Sequence, residues 1–121
     1  MTSDSQIMKM ALIIAIIGIV SIFFIIQAIE PIKLSIGEIT SSHVGHEVIT
    51  NGTISSYYIS DEHVFMIISD VSGEIKAVMF ERDAKNSIAY NLKNNDRVLI
   101  KGAVNNYKGE LEIVVREIKQ L

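Results

Sequence analysis

Two histidines three apart, His43 and His46, are the first residues whose types and spacing bear on chemistry. On one helical turn they would offer two imidazoles to a metal ion. No third ligand accompanies them, so they read as exposed connector histidines and no metal site is expected. The carboxylates Asp61 and Glu62, and Asp70 with Glu74, read as turn and strand-edge residues, not a poised acid and base. Cysteine is absent, which excludes thiol nucleophiles, disulfides, zinc-thiolate sites and a lipoprotein anchor. There is no phosphate-cradling P-loop, no Gly-x-Ser-x-Gly and no recognisable triad motif. Neither catalysis nor a cofactor is expected. What remains is a set of aromatic and basic residues whose meaning depends on the elements that carry them.

The first of those elements is apolar on every face. From Met10 to Ile29 there is no charge, and only Ser21 and Gln27 are clearly polar. At about 1.5 Å per helical residue, such a run spans roughly the 30 Å hydrocarbon core of a bilayer. It lacks the charged stripe of a helix lying in the interface, and it exceeds the apolar core of a typical signal peptide. No small-x-small cleavage pattern follows it. An uncleaved anchor over 10–29 is therefore expected, behind a tail over 1–9, with Pro31 ending the helix at Glu30. Lys9 and Lys33 nearly balance the two flanks, so the positive-inside rule hardly orients the span. The short tail leans towards a signal anchor with the domain outside the cytoplasm. There the sequon Asn51-Gly52-Thr53 would matter.

Residues 30–46 read as a connector with one short helical turn, and 47–121 as a β domain. Val48 to Ile59 is β-rich, with a bulge or bend expected at Asn51-Gly52. His63 to Ser69 and Glu74 to Phe80 alternate as strands around the turn Asp70-Val71-Ser72-Gly73. Glu81 to Leu92 carries Ala84, Ile88 and Leu92 at four-residue spacing, which predicts a helix. Arg97 to Asn105 and Glu110 to Ile118 form a last hairpin about Asn106 to Gly109. Three strands, a helix and two strands make a mainly β protein. That order is the plan of a five-stranded Greek-key barrel, the OB-fold, with one helix between strands three and four. An unclosed α+β sandwich is the other arrangement.

Two stretches also carry a family resemblance. Phe65-Met-Ile-Ile-Ser-Asp-Val-Ser-Gly-Glu-Ile-Lys-Ala-Val-Met-Phe80 resembles the second-to-third strand hairpin of OB-folds of the tRNA-anticodon-binding and replication-protein-A type. Leu92 to Val104, followed by Tyr107 to Ile113, is similar to that family's last hairpin; Asn95 stands where the family often has Gly before Asp. The resemblance covers residues 46–121. It implies a partner, single-stranded DNA or RNA, lying across the second and third strands between two flanking loops. Alternation points Val64, Met66, Ile68, Ile75, Ala77 and Met79 inward, leaving Phe65, Ile67, Lys76, Val78 and Phe80 outward. The resemblance then makes Phe65 and Phe80 base-stacking residues and Lys76 a phosphate contact. Tyr57, Tyr58, His63, Tyr107 and Lys108 would close over the strand, with Lys101 nearby.

Two observations weigh against this reading. Residues 31–121 hold ten Lys and Arg against twelve Asp and Glu, so bulk charge lends nucleic-acid binding no support. Outward Ile67 and Val78 equally suit an adaptor that docks a membrane protein partner. Two other families share an anchor followed by an OB-fold. A haem chaperone of cytochrome c maturation carries His and Tyr in a tail after the barrel; here only Gln120-Leu121 follow, so haem transfer is not expected. The membrane-anchored OB domain that partners scaffolding proteins and proteases resembles this chain in architecture alone. The expected protein is a non-catalytic, single-pass, bilayer-anchored OB-fold module. Its 23 isoleucines in 121 residues suit an AT-rich prokaryotic, archaeal-like genome.

Overall fold

Strict alternation in Val64-Phe65-Met66-Ile67-Ile68 builds the strand that organises the domain, with Val64, Met66 and Ile68 buried and their neighbours half-buried. A computed structural model describes residues 3–28 and 31–121. The chain divides into two units, Met1–Glu30 and Pro31–Leu121.

The first unit is one helix, α1 (Asp4–Ala28). It begins six residues before the apolar run, so Lys9 belongs to the helix and not to a tail. The Ser3 hydroxyl accepts the Gln6 amide at 3.4 Å, and Asp4 sits in the first turn, where the helix dipole favours negative charge. Leu12, Ile14, Ile17 and Ile19 are all exposed. By length and composition Asp4–Ile22 is long and apolar enough to cross a membrane. The expected end of the span at Ile29 and Glu30 lies outside the described residues.

The second unit is a closed five-stranded barrel. Its strands are β2 (Glu47–Ser60), β3 (His63–Asp70), β4 (Gly73–Met79), β5 (Arg97–Tyr107) and β6 (Glu110–Gln120). β2, β3 and β4 form an antiparallel meander. β6 pairs in parallel with β4 and antiparallel with β5, and β5 closes the barrel on β2 from Glu47 opposite Ala103 to Thr53 opposite Arg97. Ile54, Ile68, Met79, Ile100 and Ile113 fill the interior without exposure. Each such side chain contributes about 1.5–3 kcal/mol of burial.

Three local expectations are corrected. The helix over Glu81–Leu92 breaks after one turn, α2 (Glu81–Ala84), and resumes as a 3-10 turn over Ala89–Asn91. Ser87 causes the break: its hydroxyl donates to the Ala84 carbonyl and accepts the Ala89 amide, both at 3.0 Å, drawing the chain out of the helical ladder. The bulge lies not at Asn51-Gly52 but between Ile54 and Ser56. Gly52 stays in register with Val98; a Cβ there would meet the Ser69 carbonyl oxygen at 2.6 Å. The connector, finally, is part of the barrel. β1 (Ile32–Lys33) pairs in parallel with Val48 and Ile49, and Ile36 and Ile39 are buried in the core.

Asp70 holds that connector down. Its carboxylate accepts the amides of Ile36 at 3.0 Å, Ser72 at 2.7 Å and Gly73 at 3.1 Å, while the Gly37 amide donates to the Ser72 hydroxyl at 2.7 Å. These bonds, that from the Ser72 hydroxyl foremost, hold the Asp70 carboxyl below its ordinary value of 3.8. A carboxyl lowered on folding adds stability above its unfolded value, and that stability is lost as pH falls through the folded one. Asp70→Ala is therefore expected to cost about 1–2 kcal/mol at neutral pH, after solvent screening. The gap between the two urea midpoints should shrink below about pH 4. A constant gap across that window would overturn the role of the charge.

Within the core, Thr50 is 2% exposed and its hydroxyl finds no hydrogen-bond partner among the described residues. Thr50→Val keeps the shape and removes the unpaired group. It should raise stability by about 1 kcal/mol, read as a higher urea midpoint at unchanged slope.

Candidate nucleic-acid interface

The register of the meander stacks three rungs of side chains on its outer face. Ser56 lies opposite Ile67, which lies opposite Lys76; Tyr58, Phe65 and Val78 form the next rung; Ser60 and His63 form the third, with Phe80 beside them. The bulge at Ser55 sets which tyrosine faces outward. Tyr58 stacks flat on Phe65, with ring centroids 5.0 Å apart and planes 12° from parallel, and is 57% exposed. Phe65 thus has one face covered by Tyr58, the more exposed of the two rings, and both line the same cleft.

Across from this pair stands Tyr107, at the end of β5 and 56% exposed. The Lys108 ammonium lies 5.3 Å from its ring centroid, within cation–π range. Between the walls is a cleft of about 290 Å³, with Val78 and Ile67 on its floor and Lys76 and Glu112 at its polar side. Val78 corrects the expectation of an exposed apolar patch. It points outward, yet it is only 5% exposed, because β6 pairs beside it and sets Val114 against it.

The sequence candidates do not all gather here. Tyr58, Phe65, Lys76 and Tyr107 line the cleft, and Lys108 stacks on its wall. His63 and Phe80 sit one rung away, edge to face at 5.3 Å and 87°, with His63 Nδ1 accepting the Glu81 amide at 3.0 Å. Tyr57 turns to the core, where its hydroxyl donates to the Ala89 carbonyl at 2.6 Å and burial pushes its pKa up. It ties the loop after α2 to β2. Lys101 lies on the outer face of β5, 4.0 Å from Glu117, and does not line the cleft.

Sequence reasoning missed Ser56 and Glu112. Ser56 had a signal, since it alternates with Tyr58 along β2. Glu112 had none, because its place follows from the parallel pairing of Lys76 with Glu112. Nor did it foresee the ion pair between Lys76 and Glu110, whose carboxylate, by its hydrogen bond first and its charge second, holds the Lys76 pKa up. The rim towards His63 is a turn with Asp61 and Glu62 both left-handed, at φ 50° and 67°. The Tyr90 hydroxyl pins it by donating to the Glu62 carbonyl at 2.6 Å. His43 Nδ1 accepts the Thr40 amide at 3.0 Å, and no three His, Asp or Glu side chains gather as metal ligands among the described residues.

The cleft presents aromatic surface, one lysine, Lys76, and one carboxylate, Glu112, with Lys108 on the Tyr107 wall. Such a surface is suited to stacking more than to charge. Residues 48–121 match the tRNA anti-codon family model, described as an OB-fold nucleic acid binding domain. No curated protein matches the chain. Among solved structures, the fold is similar to asparaginyl-tRNA synthetase from Pyrococcus horikoshii, at 20% identity and a TM-score of 0.65 over 74% of this chain. The match covers 23% of the synthetase, so this chain spans less than a quarter of that protein. It is also similar to the S. pombe Stn1–Ten1 complex, at 19% identity and a TM-score of 0.58 over 62% of this chain and 57% of that one. OBody AM1L10 bound to hen egg-white lysozyme is 27% identical, with a TM-score of 0.59 over 69% of this chain and 87% of that one.

Proposed function

Because this chain belongs to the tRNA anti-codon family of OB-fold nucleic acid binding domains, we propose that it is a non-catalytic module, anchored in a bilayer by α1, that binds single-stranded DNA or RNA in the Tyr58–Tyr107 cleft. The observation that carries this reading is the Tyr58 ring, stacked on Phe65, more than half exposed and lining the cleft. A base has a π-face of its own whatever its identity, so such a platform is sequence-tolerant and worth ~1–3 kcal/mol per base. Lys76 supplies the phosphate contact and Tyr107 the second wall. His63 and Phe80 extend the face by one rung. From Met10 to Ile22 the helix is exposed and, Ser21 apart, apolar on every face, which supports anchoring in lipid. Tethering then raises local concentration without demanding high intrinsic affinity. An adaptor for a protein partner is less well supported, since it leaned on an exposed patch at Ile67 and Val78, and Val78 is buried.

The test is fluorescence anisotropy of labelled single-stranded DNA and RNA against the full chain in non-ionic detergent at two salt concentrations. Micromolar binding is expected. Its salt dependence should be shallow, a slope near −0.7 for each phosphate engaged, because few cations line the cleft. Absence of binding at low salt, where electrostatic attraction is strongest, would overturn the proposal.

A further inference from the structure

The lysine best placed for a phosphate is already occupied. Lys76 stands at a junction: with Ile67 it lines both the Tyr58–Tyr107 cleft and a second one of about 380 Å³ that runs towards Ile36 and Ile39 of the connector. Its ammonium is bonded there to the Glu110 carboxylate, with both side chains more than half exposed. Glu110 pairs with Tyr107 across the last hairpin, so this bond straps the hairpin that carries the cleft wall to the sheet that forms its floor. Glu112, the strand partner of Lys76, is engaged elsewhere: it accepts the Asn105 side-chain amide at 3.2 Å. Among the described residues, Glu110 is the carboxylate bonded to the Lys76 ammonium.

We propose that Glu110 is a built-in competitor for phosphate. Single-stranded nucleic acid binds by exchanging the Glu110 carboxylate on Lys76 for a backbone phosphate, and the exchange joins the two clefts into one trough. The idea rests on the nucleic-acid reading above and adds to it a residue that holds affinity down. An exposed ion pair is weak, so the latch is one that a phosphate can open, and its expected effect is a few-fold.

A double-mutant cycle with Glu110→Gln and Lys76→Gln tests it, using the full chain in detergent and a labelled oligothymidylate at low salt. Glu110→Gln should tighten binding about threefold to fivefold. In the Lys76→Gln background the same change should do nothing. An equal gain in both backgrounds would mean general charge repulsion and overturn the latch, as would no gain while the wild type binds normally. If neither wild type nor any variant binds, the nucleic-acid reading itself fails. Both positions are exposed, and an unchanged urea midpoint confirms that each variant is folded.

Discussion

Gly102→Ala is expected to cost about 3 kcal/mol or more, since among the glycines an added Cβ makes its shortest contact here. A Cβ at Gly102 would lie 2.2 Å from the Val114 carbonyl oxygen and 2.8 Å from both Val114 C and Val115 Cα. All three atoms are backbone of β6, so no side-chain rotation relieves the clash. Nor can β5 withdraw, because Gly102 also pairs with Val48 on β2 across the barrel closure. The position coincides with the register shift between β5 and β6, where the two strands come too close for any side chain. Against a total stability of about 5–15 kcal/mol, the loss should bring the urea midpoint down by a large fraction. Oligonucleotide binding should fall with it, since Tyr107 lies on the same strand. A midpoint within experimental error of wild type would mean that β5 and β6 do not pair as described.

The second large effect concerns affinity. Phe65→Ala should weaken oligonucleotide binding by about 1–3 kcal/mol, roughly fivefold to 150-fold. The reason is indirect, because one face of Phe65 is covered by Tyr58. Removing Phe65 takes away the surface on which Tyr58 lies flat, and with it the fixed orientation of the ring that meets the base. Tyr58→Ala does something different: it uncovers Phe65, whose ring then offers a face of its own. Phe65→Ala should therefore be at least as damaging as Tyr58→Ala, and the double variant little worse than Phe65→Ala alone. Binding retained within twofold in a folded Phe65→Ala would place the ligand elsewhere. Additive losses in the cycle would show that the rings act as separate platforms.

How far these residues could be placed from sequence depended on how local their causes were. The strand of Val64, Met66 and Ile68 and its hairpin about Gly73 follow from alternation and one turn, and they emerged intact. The barrel followed from the order of the elements and from two hairpins resembling one family. Burial of Ile36 and Ile39 did not, because the group that draws them in is the carboxylate of Asp70 in a strand remote in sequence. The break at Ser87 was hidden by good helix formers on either side; only the hydroxyl's two backbone bonds show why it won. The cleft was legible in residue type more than in geometry. Adjacent Tyr57 and Tyr58 were both candidates, yet neighbours on a strand face opposite ways, and the bulge at Ser55 decides which is which. Val78 obeyed alternation by pointing outward and was buried all the same, through a parallel partner that no local pattern announces.

That closure, β2 on β5, has a kinetic side. The hairpins β2–β3 and β5–β6 are local and of the kind that forms in about 1–10 μs. Pairing residues 47–53 with 97–103 must instead wait for a long loop to close, and barrels of such topology fold in about milliseconds to seconds. For that interval β2 and β5 each carry an open edge whose natural mate is available from any neighbouring copy. In the bilayer-anchored arrangement proposed above, chains confined to one plane would meet often, and the race between closing on oneself and exchanging the β5–β6 hairpin with a neighbour would be run at high local concentration. The faster this one pairing forms, the shorter the interval in which those edges stay open.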